Sequence, residues 1–139
     1  MSTRILAVDY GDVRTGLAIS DPTGMLASTA GVITDRNAER VADQVVAEAH
    51  RLEAGTILLG LPKNMNNTLG PRAEKTLEFQ RLLQQRFEGE VMLRDERNTT
   101  ISATRALNET NTRGKKRKSV IDALSATILL QDYLDSLRS

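Results

Sequence analysis

The sequence predicts an α/β fold: a mixed five-stranded sheet, an antiparallel three-strand meander extended by parallel strands, with helices on both faces. Three observations carry this. Three short apolar patterns joined by tight turns open the chain, which suits antiparallel neighbours. After them, helical periodicity alternates with compact apolar runs, the signature of parallel crossovers. Aromatic residues make up only 3% of the chain against 40% hydrophobic residues overall, so the core must be aliphatic.

The elements follow in order. Arg4–Tyr10 reads as a buried strand, built on Ile5, Leu6, Ala7 and Val8. Gly11 and Asp12 turn the chain into a second strand, Arg14–Ser20, and Asp21-Pro22-Thr23-Gly24 is a strong turn signal before a third, Met25–Thr34. Thr34 or Asp35 is placed to cap the helix that follows. In that helix Val41, Ala42, Val45, Val46, Ala49 and Leu52 recur at helical spacing, and Gly55 is the expected stop. Thr56–Gly60 is a compact strand. Pro71 suits the first position of a helix reaching about Phe87, with Ala73, Leu77, Leu82 and Leu83 inward. Glu90–Arg94 reads as a strand and Thr99–Glu109 as a helix. Asn111–Lys118 reads as a basic loop, and Ser119–Leu137 as a last helix with apolar residues on most sides. The 139 residues fit one domain.

Composition excludes several chemistries. The chain has no cysteine, so disulfides, thiolate metal sites and a cysteine nucleophile are all absent. Its one histidine, His50, lies mid-helix without a motif around it, and reads as a surface residue. No apolar run approaches the ~18 residues of a membrane span, and the N-terminus lacks a signal-peptide layout, so cytoplasmic residence is expected. The net charge is only +1, yet it is unevenly spread: from Val91 to Ile121 eight basic residues face three acids. A local positive field predicts a polyanionic partner.

Without histidine or cysteine, carboxylates are the remaining candidates for catalysis, and hard cations need little more than oxygen ligands. Asp9 ends the first apolar run, where a charge is costly unless it is paired or binds metal. Asp95 and Glu96 leave the strand Glu90–Arg94 in the same way. Successive strand side chains alternate, so one of these two acids faces a site and the other faces away; position alone allows either. Asp122 stands three residues after Ser119, the spacing of a capping box, and a helix N-terminus also favours an ionised carboxylate. Gly11, Arg14 and Gly16 follow Asp9 in a tight hairpin able to approach a phosphate. In the loop from Gly60 to Arg72, the residues Lys63, Asn64, Asn67 and Arg72 are suited to phosphates and sugars, though the loop lacks the Gly-Lys-Ser/Thr ending of a nucleotide-binding P-loop. Arg113, Lys115, Lys116, Arg117 and Lys118 place five bases in six residues. Such a run gives affinity for phosphates without reading sequence.

These motifs resemble the YqgF family of the RNase H-like superfamily over essentially the whole chain. The resemblance rests on Asp9-Tyr10-Gly11 with Arg14 and Gly16, on Ser20-Asp21-Pro22, and on Gly60-Leu61-Pro62 with Asn64-Met65. It continues through Gly70-Pro71-Arg72, Asp95-Glu96-Arg97 with Thr99-Thr100, and Asp122-Ala123 leading into Leu130-Gln131-Asp132-Tyr133-Leu134. The chain departs from the family at Asn66-Asn67, where Asp-Gly is common, and at Asn98, where Leu is common. The resemblance implies an RNase H-like fold and a nuclease that processes the 5′ end of pre-16S rRNA in ribosome biogenesis. The alternatives are a Holliday junction resolvase acting on branched DNA, or a non-catalytic nucleic-acid-binding module. It further implies that Asp9, Glu96 and Asp122 are catalytic and hold one or two Mg²⁺ or Mn²⁺ ions, with Asp9 bridging and the other two binding one each. Asp9 would lie on the central strand and Glu96 would end a neighbouring one. Arg14, Lys63, Asn64, Arg72, Arg97, Arg113 and Lys115–Lys118 would contact nucleic acid. The expected partners are pre-rRNA or branched DNA and the ribosome, with the protein a monomer or weak homodimer.

Overall fold

The computed structural model describes residues 4–62, 66, 68–96 and 115–138, with side chains of the last helix from Ala123 onward. Its elements are β1 (Arg4–Asp9), β2 (Arg14–Ser20), β3 (Ala27–Thr34), α1 (Ala38–Arg51), β4 (Ala54–Leu61), α2 (Pro71–Arg86), β5 (Glu90–Asp95) and α3 (Lys115–Arg138). The expected helix Thr99–Glu109 falls outside the described residues.

One sheet contains all five strands in the order β3-β2-β1-β4-β5. β1 pairs antiparallel with β2, and β2 with β3; β1–β4 and β4–β5 are parallel. The sheet is thus mixed as the sequence predicts, with β1 at its centre. One correction concerns β5: it is not beside β1, because β4 intervenes.

Strand alternation divides the core into two layers. Leu6, Val8, Leu17, Ile19, Ile57, Leu59 and Val91 face α1 and α2, where Val41, Val45, Phe79 and Leu83 meet them. Ala7, Ala18 and Leu58 face the opposite way and pack on Ala126, Leu129, Leu130 and Leu134 of α3. Small residues on that second face let the helix lie close to the sheet. Gln131 fastens α3 further, accepting from Ala27 N–H at 3.0 Å and donating to the Met25 carbonyl at 3.0 Å.

Several local expectations are corrected. β3 continues through Thr34, which pairs with Arg14, so the cap of α1 is Asn37; its side chain accepts from Arg40 N–H. Asp35 instead receives the Arg40 guanidinium at 2.8 Å. α1 ends at Arg51, and Glu53, with φ of 57°, makes the reversal expected of Gly55, which lies inside β4. β3 begins at Ala27, because the Asp21 carboxylate takes the Met25 and Leu26 N–H groups into a wider turn. In α2 the buried residues are Ala73, Thr76, Phe79 and Leu83, whereas Leu77 and Leu82 are half-buried. α3 begins at Lys115, so Lys115–Lys118 forms its first turn and is not loop. Lysine and arginine propagate helix well, which explains the earlier start. Ser119 is therefore inside the helix, and the capping-box reading of Ser119 and Asp122 falls. His50 is exposed and pairs with Glu88 at 3.1 Å, a surface role.

Candidate active site

Asp9 is the last residue of β1, opposite Gly16 of β2. It shares the parity of Ala7, so alternation aims it at the α3 side of the sheet. It is only 8% exposed. Two strands away, β5 runs parallel to β4 with Gly60 opposite Arg94 and Leu61 opposite Asp95. Glu96 follows directly, its N–H donating to the Leu61 carbonyl at 3.4 Å. The parity of Met92 and Arg94 carries Glu96 to the α3 side, where it is 3% exposed, while Asp95 is exposed. By position in the sequence Asp95 and Glu96 are equal candidates. The structure puts Glu96 on the face that Asp9 occupies, at the same end of the sheet.

Between them, β4 offers Gly60. The Glu96 carboxylate lies over this glycine, alongside the Leu129 side chain from α3. Burial pushes the Glu96 carboxyl up to about 7 from an ordinary 4.5; the positive charge of Arg72 opposes the rise and Asp95 adds to it.

Arg72 opens α2, which begins at Pro71 after Gly70. Its guanidinium donates to the carbonyl of Tyr10, the residue after Asp9, and faces the Asp12 carboxylate at 3.7 Å. Lys75, one turn on, reaches Asp12 at 3.2 Å. Arg72 is thus engaged with the β1–β2 hairpin. On the sequence it reads only as a phosphate contact. Gly11 is required in that hairpin, since a Cβ there would collide with the Arg14 carbonyl oxygen. Arg14 shares the parity of Gly16 and Ala18, so its strand position is on the Asp9 face. Arg94 holds its guanidinium 5.5 Å from the centre of the Tyr133 ring on α3.

Lys63, Asn64, Arg97 and Arg113 lie outside the described residues, and so do the side chains of Lys115–Lys118 and Asp122. The backbone of Asp122 is helical, one turn before Ala126. Among the described residues no group of three or more potential ligands is gathered for a metal ion. Asp9 and Glu96 nevertheless fit Mg²⁺ or Mn²⁺: both are hard oxygen donors held away from bulk water on one face. A separate cavity of about 370 Å³, with Tyr10, Asp12, Lys75 and Phe79 in its lining, is on the α1/α2 side and contains neither acid.

Sequence reasoning assigns no role to Gly60 beyond its place in a motif, because its significance depends on what lies above it. The residues flanking Asp9 and Glu96 carry the legible signal.

The chain is similar to several known proteins. A family model described as RuvX, Holliday junction resolvase, matches residues 3–136. A protein of Clostridium botulinum is 46% identical over 136 residues, covering 96% of this chain and 98% of its own, and is named "Putative pre-16S rRNA nuclease". Proteins of Acetivibrio thermocellus and Halothermothrix orenii carry the same name. Each is 44% identical; they cover 96% and 95% of this chain, and 96% and 94% of their own. Among solved structures, the Thermus thermophilus RuvC bound to a Holliday junction superposes with a TM-score of 0.60 at 12% identity, covering 97% of this chain and 95% of that one. The fowlpox virus resolvase bound to junction DNA gives 0.57 at 13%, covering 99% and 100%. At such identities these two establish the shared RNase H-like fold.

Proposed function

The chain belongs to the RuvX family, and from that premise we propose that it is a nuclease that hydrolyses phosphodiester bonds in structured nucleic acid with the help of a divalent metal. The observation that carries the reading is the convergence of two buried carboxylates, Asp9 and Glu96, from separate strands onto one face and one end of the sheet. Burying two acids together is costly unless a cation joins them.

Asp9, Glu96 and Asp122 hold Mg²⁺ or Mn²⁺ in this reading, two ions in its fullest form. The metal, when bound, supplies Lewis acidity toward the phosphoryl oxygens and an activated water. The protein's own groups do the rest. The strand ladder and the Arg72 tie to the Tyr10 carbonyl hold the backbone on either side of Asp9. Glu96 is held between Gly60 and Leu129, where bulk water is excluded. Arg14, on the same face, orients the substrate backbone. Lys63, Asn64, Arg97, Arg113 and Lys115–Lys118 extend that contact along the phosphates.

For the substrate, pre-16S rRNA is the preferred choice, supported by three relatives at 44–46% identity that are named for it, with its 5′ end as the proposed place of cleavage. The activity then belongs in the cytoplasm, beside the ribosome. A second reading, Holliday junction resolution, is favoured by the family's description; cutting two strands symmetrically would call for a two-fold dimer. A cleavage assay with Mg²⁺ or Mn²⁺ separates them, comparing a pre-rRNA 5′ leader with a four-way DNA junction. Preferential cutting of the leader supports the first reading, and symmetric cutting of the junction the second. Binding of both without cleavage of either would leave a non-catalytic nucleic-acid-binding module and refute the nuclease reading.

A further inference from the structure

We infer that Gly60 is a positioning residue for the acidic site: its missing side chain is the space into which the Glu96 carboxylate folds back over β4. The inference rests on the reading of Glu96 as a metal ligand, and adds how that ligand is aimed.

A Cβ built on Gly60 would stand 2.6 Å from Glu96 Oε2 and 3.6 Å from Glu96 Cδ. Its third neighbour is Leu129 Cδ2 at 3.1 Å. The closest of these distances is below any tolerable carbon–oxygen contact, so something must move. The atom that meets the methyl group is the far end of a flexible side chain, not backbone. Glu96 therefore yields first, by rotating its carboxylate away, and Leu129 gives by a few tenths of an ångström. The strand itself has no reason to shift, because Gly60 is regular strand paired with Arg94.

Location strengthens the inference. β4 lies between β1 and β5, and Gly60 is the next residue after Leu59, which pairs with Val8. A side chain on the α3 side of Gly60 would stand between Asp9 and Glu96. Glycine at this point leaves the two carboxylates a common space across the intervening strand.

The test uses the full-length chain and Mn²⁺ as probe, with affinity read by electron paramagnetic resonance and cleavage read separately. Gly60→Ala should fold as wild type by circular dichroism and lose Mn²⁺ affinity by about 10- to 100-fold, the usual effect of displacing the support of a metal ligand. Glu96→Asp, one methylene shorter, should also weaken binding. Their combination should bind more tightly than Gly60→Ala alone, because the shorter acid clears the methyl group. That non-additivity is the signature of a steric relation between the two positions. Should Gly60→Ala melt early through its contact with Leu129, adding Leu129→Ala should restore the melting temperature and leave Mn²⁺ binding impaired. Wild-type Mn²⁺ affinity in either alanine variant, with Glu96→Gln unable to bind, would overturn the role given to Gly60 and leave the metal site intact. Wild-type affinity in Glu96→Gln would overturn the metal-ligand reading on its own.

Discussion

Glu96→Gln separates the catalytic demand on this residue from its contribution to folding. The Glu96 carboxyl has an affinity for protons that burial raises to about 7, against 4.5 in the unfolded chain. The difference corresponds to ~3 kcal/mol. Its sign follows from linkage: the folded state binds the proton more tightly, so the contribution to stability is fully present below pH 4.5 and is lost as pH rises toward 7. At pH 8 the metal-free protein must hold a buried, ionised acid. Glutamine keeps the shape and removes that charge. In urea, with chelator present, Glu96→Gln should therefore be more stable than wild type by ~3 kcal/mol at pH 8. The advantage should shrink to ~1 kcal/mol or less at pH 5. With a denaturant slope of about 2 kcal/mol per molar, the pH 8 midpoints should differ by about 1.5 M. Adding Mn²⁺ at pH 8 should stabilise wild type and not the variant, because the ion binds only the folded acid site. Cleavage should be lost in the variant. Denaturation midpoints that move in parallel from pH 5 to pH 8 would refute the buried-charge argument.

Other perturbations test the rest of the site. Asp9→Asn should abolish metal-dependent cleavage while retaining nucleic-acid binding, whereas Asp95→Asn, on the exposed side of β5, should retain most activity; the reverse ranking in a single-turnover assay would exchange their roles. Changing Lys115, Lys116, Arg117 and Lys118 together to alanine should weaken binding to every sequence alike. It should also flatten the log–log salt slope by about 0.7 to 0.9 for each phosphate that the variant no longer neutralises, as read by anisotropy titrations across salt. Arg72→Met cuts the ties to the Tyr10 carbonyl and Asp12. The amides of Gly11 to Arg14 should then exchange hydrogen faster, and cleavage at saturating substrate should fall; unchanged exchange would remove Arg72 from the support of Asp9.

Much of this architecture is legible in the amino-acid sequence, for identifiable reasons. The apolar runs of β1 and β4 and the turn at Asp21–Gly24 are local signals, and they locate the mixed sheet. Alternation alone requires that only one of Asp95 and Glu96 share a face with Asp9. The missing parts depend on partners distant in sequence. Nothing near Glu90 says that β4 separates β5 from β1. The cap of α1 moves to Asn37 because pairing with Arg14 holds Thr34 in β3. The start of α3 is obscured because a basic run beside Gly114 has the composition of a loop but the propensity of a helix. Gly60 matters through a carboxylate that enters from another strand, a relation no local pattern encodes.

The two tyrosines bear on how this protein can be watched. The chain has no tryptophan and only two tyrosines. Tyr10 follows Asp9 and stacks on Phe79 with ring centres 4.0 Å apart. Tyr133 lies on the other side of the sheet, beneath Arg94, with its hydroxyl 3.7 Å from Met92 Sδ. Near-ultraviolet dichroism and ultraviolet emission thus come largely from one chromophore per layer. Tyr10→Phe would silence the α1/α2 layer and leave a signal that reports the docking of α3 alone. Tyr133→Phe would leave one that reports the hairpin beside Asp9. Compared in stopped-flow refolding experiments, the two single variants time the closing of each layer without an added dye.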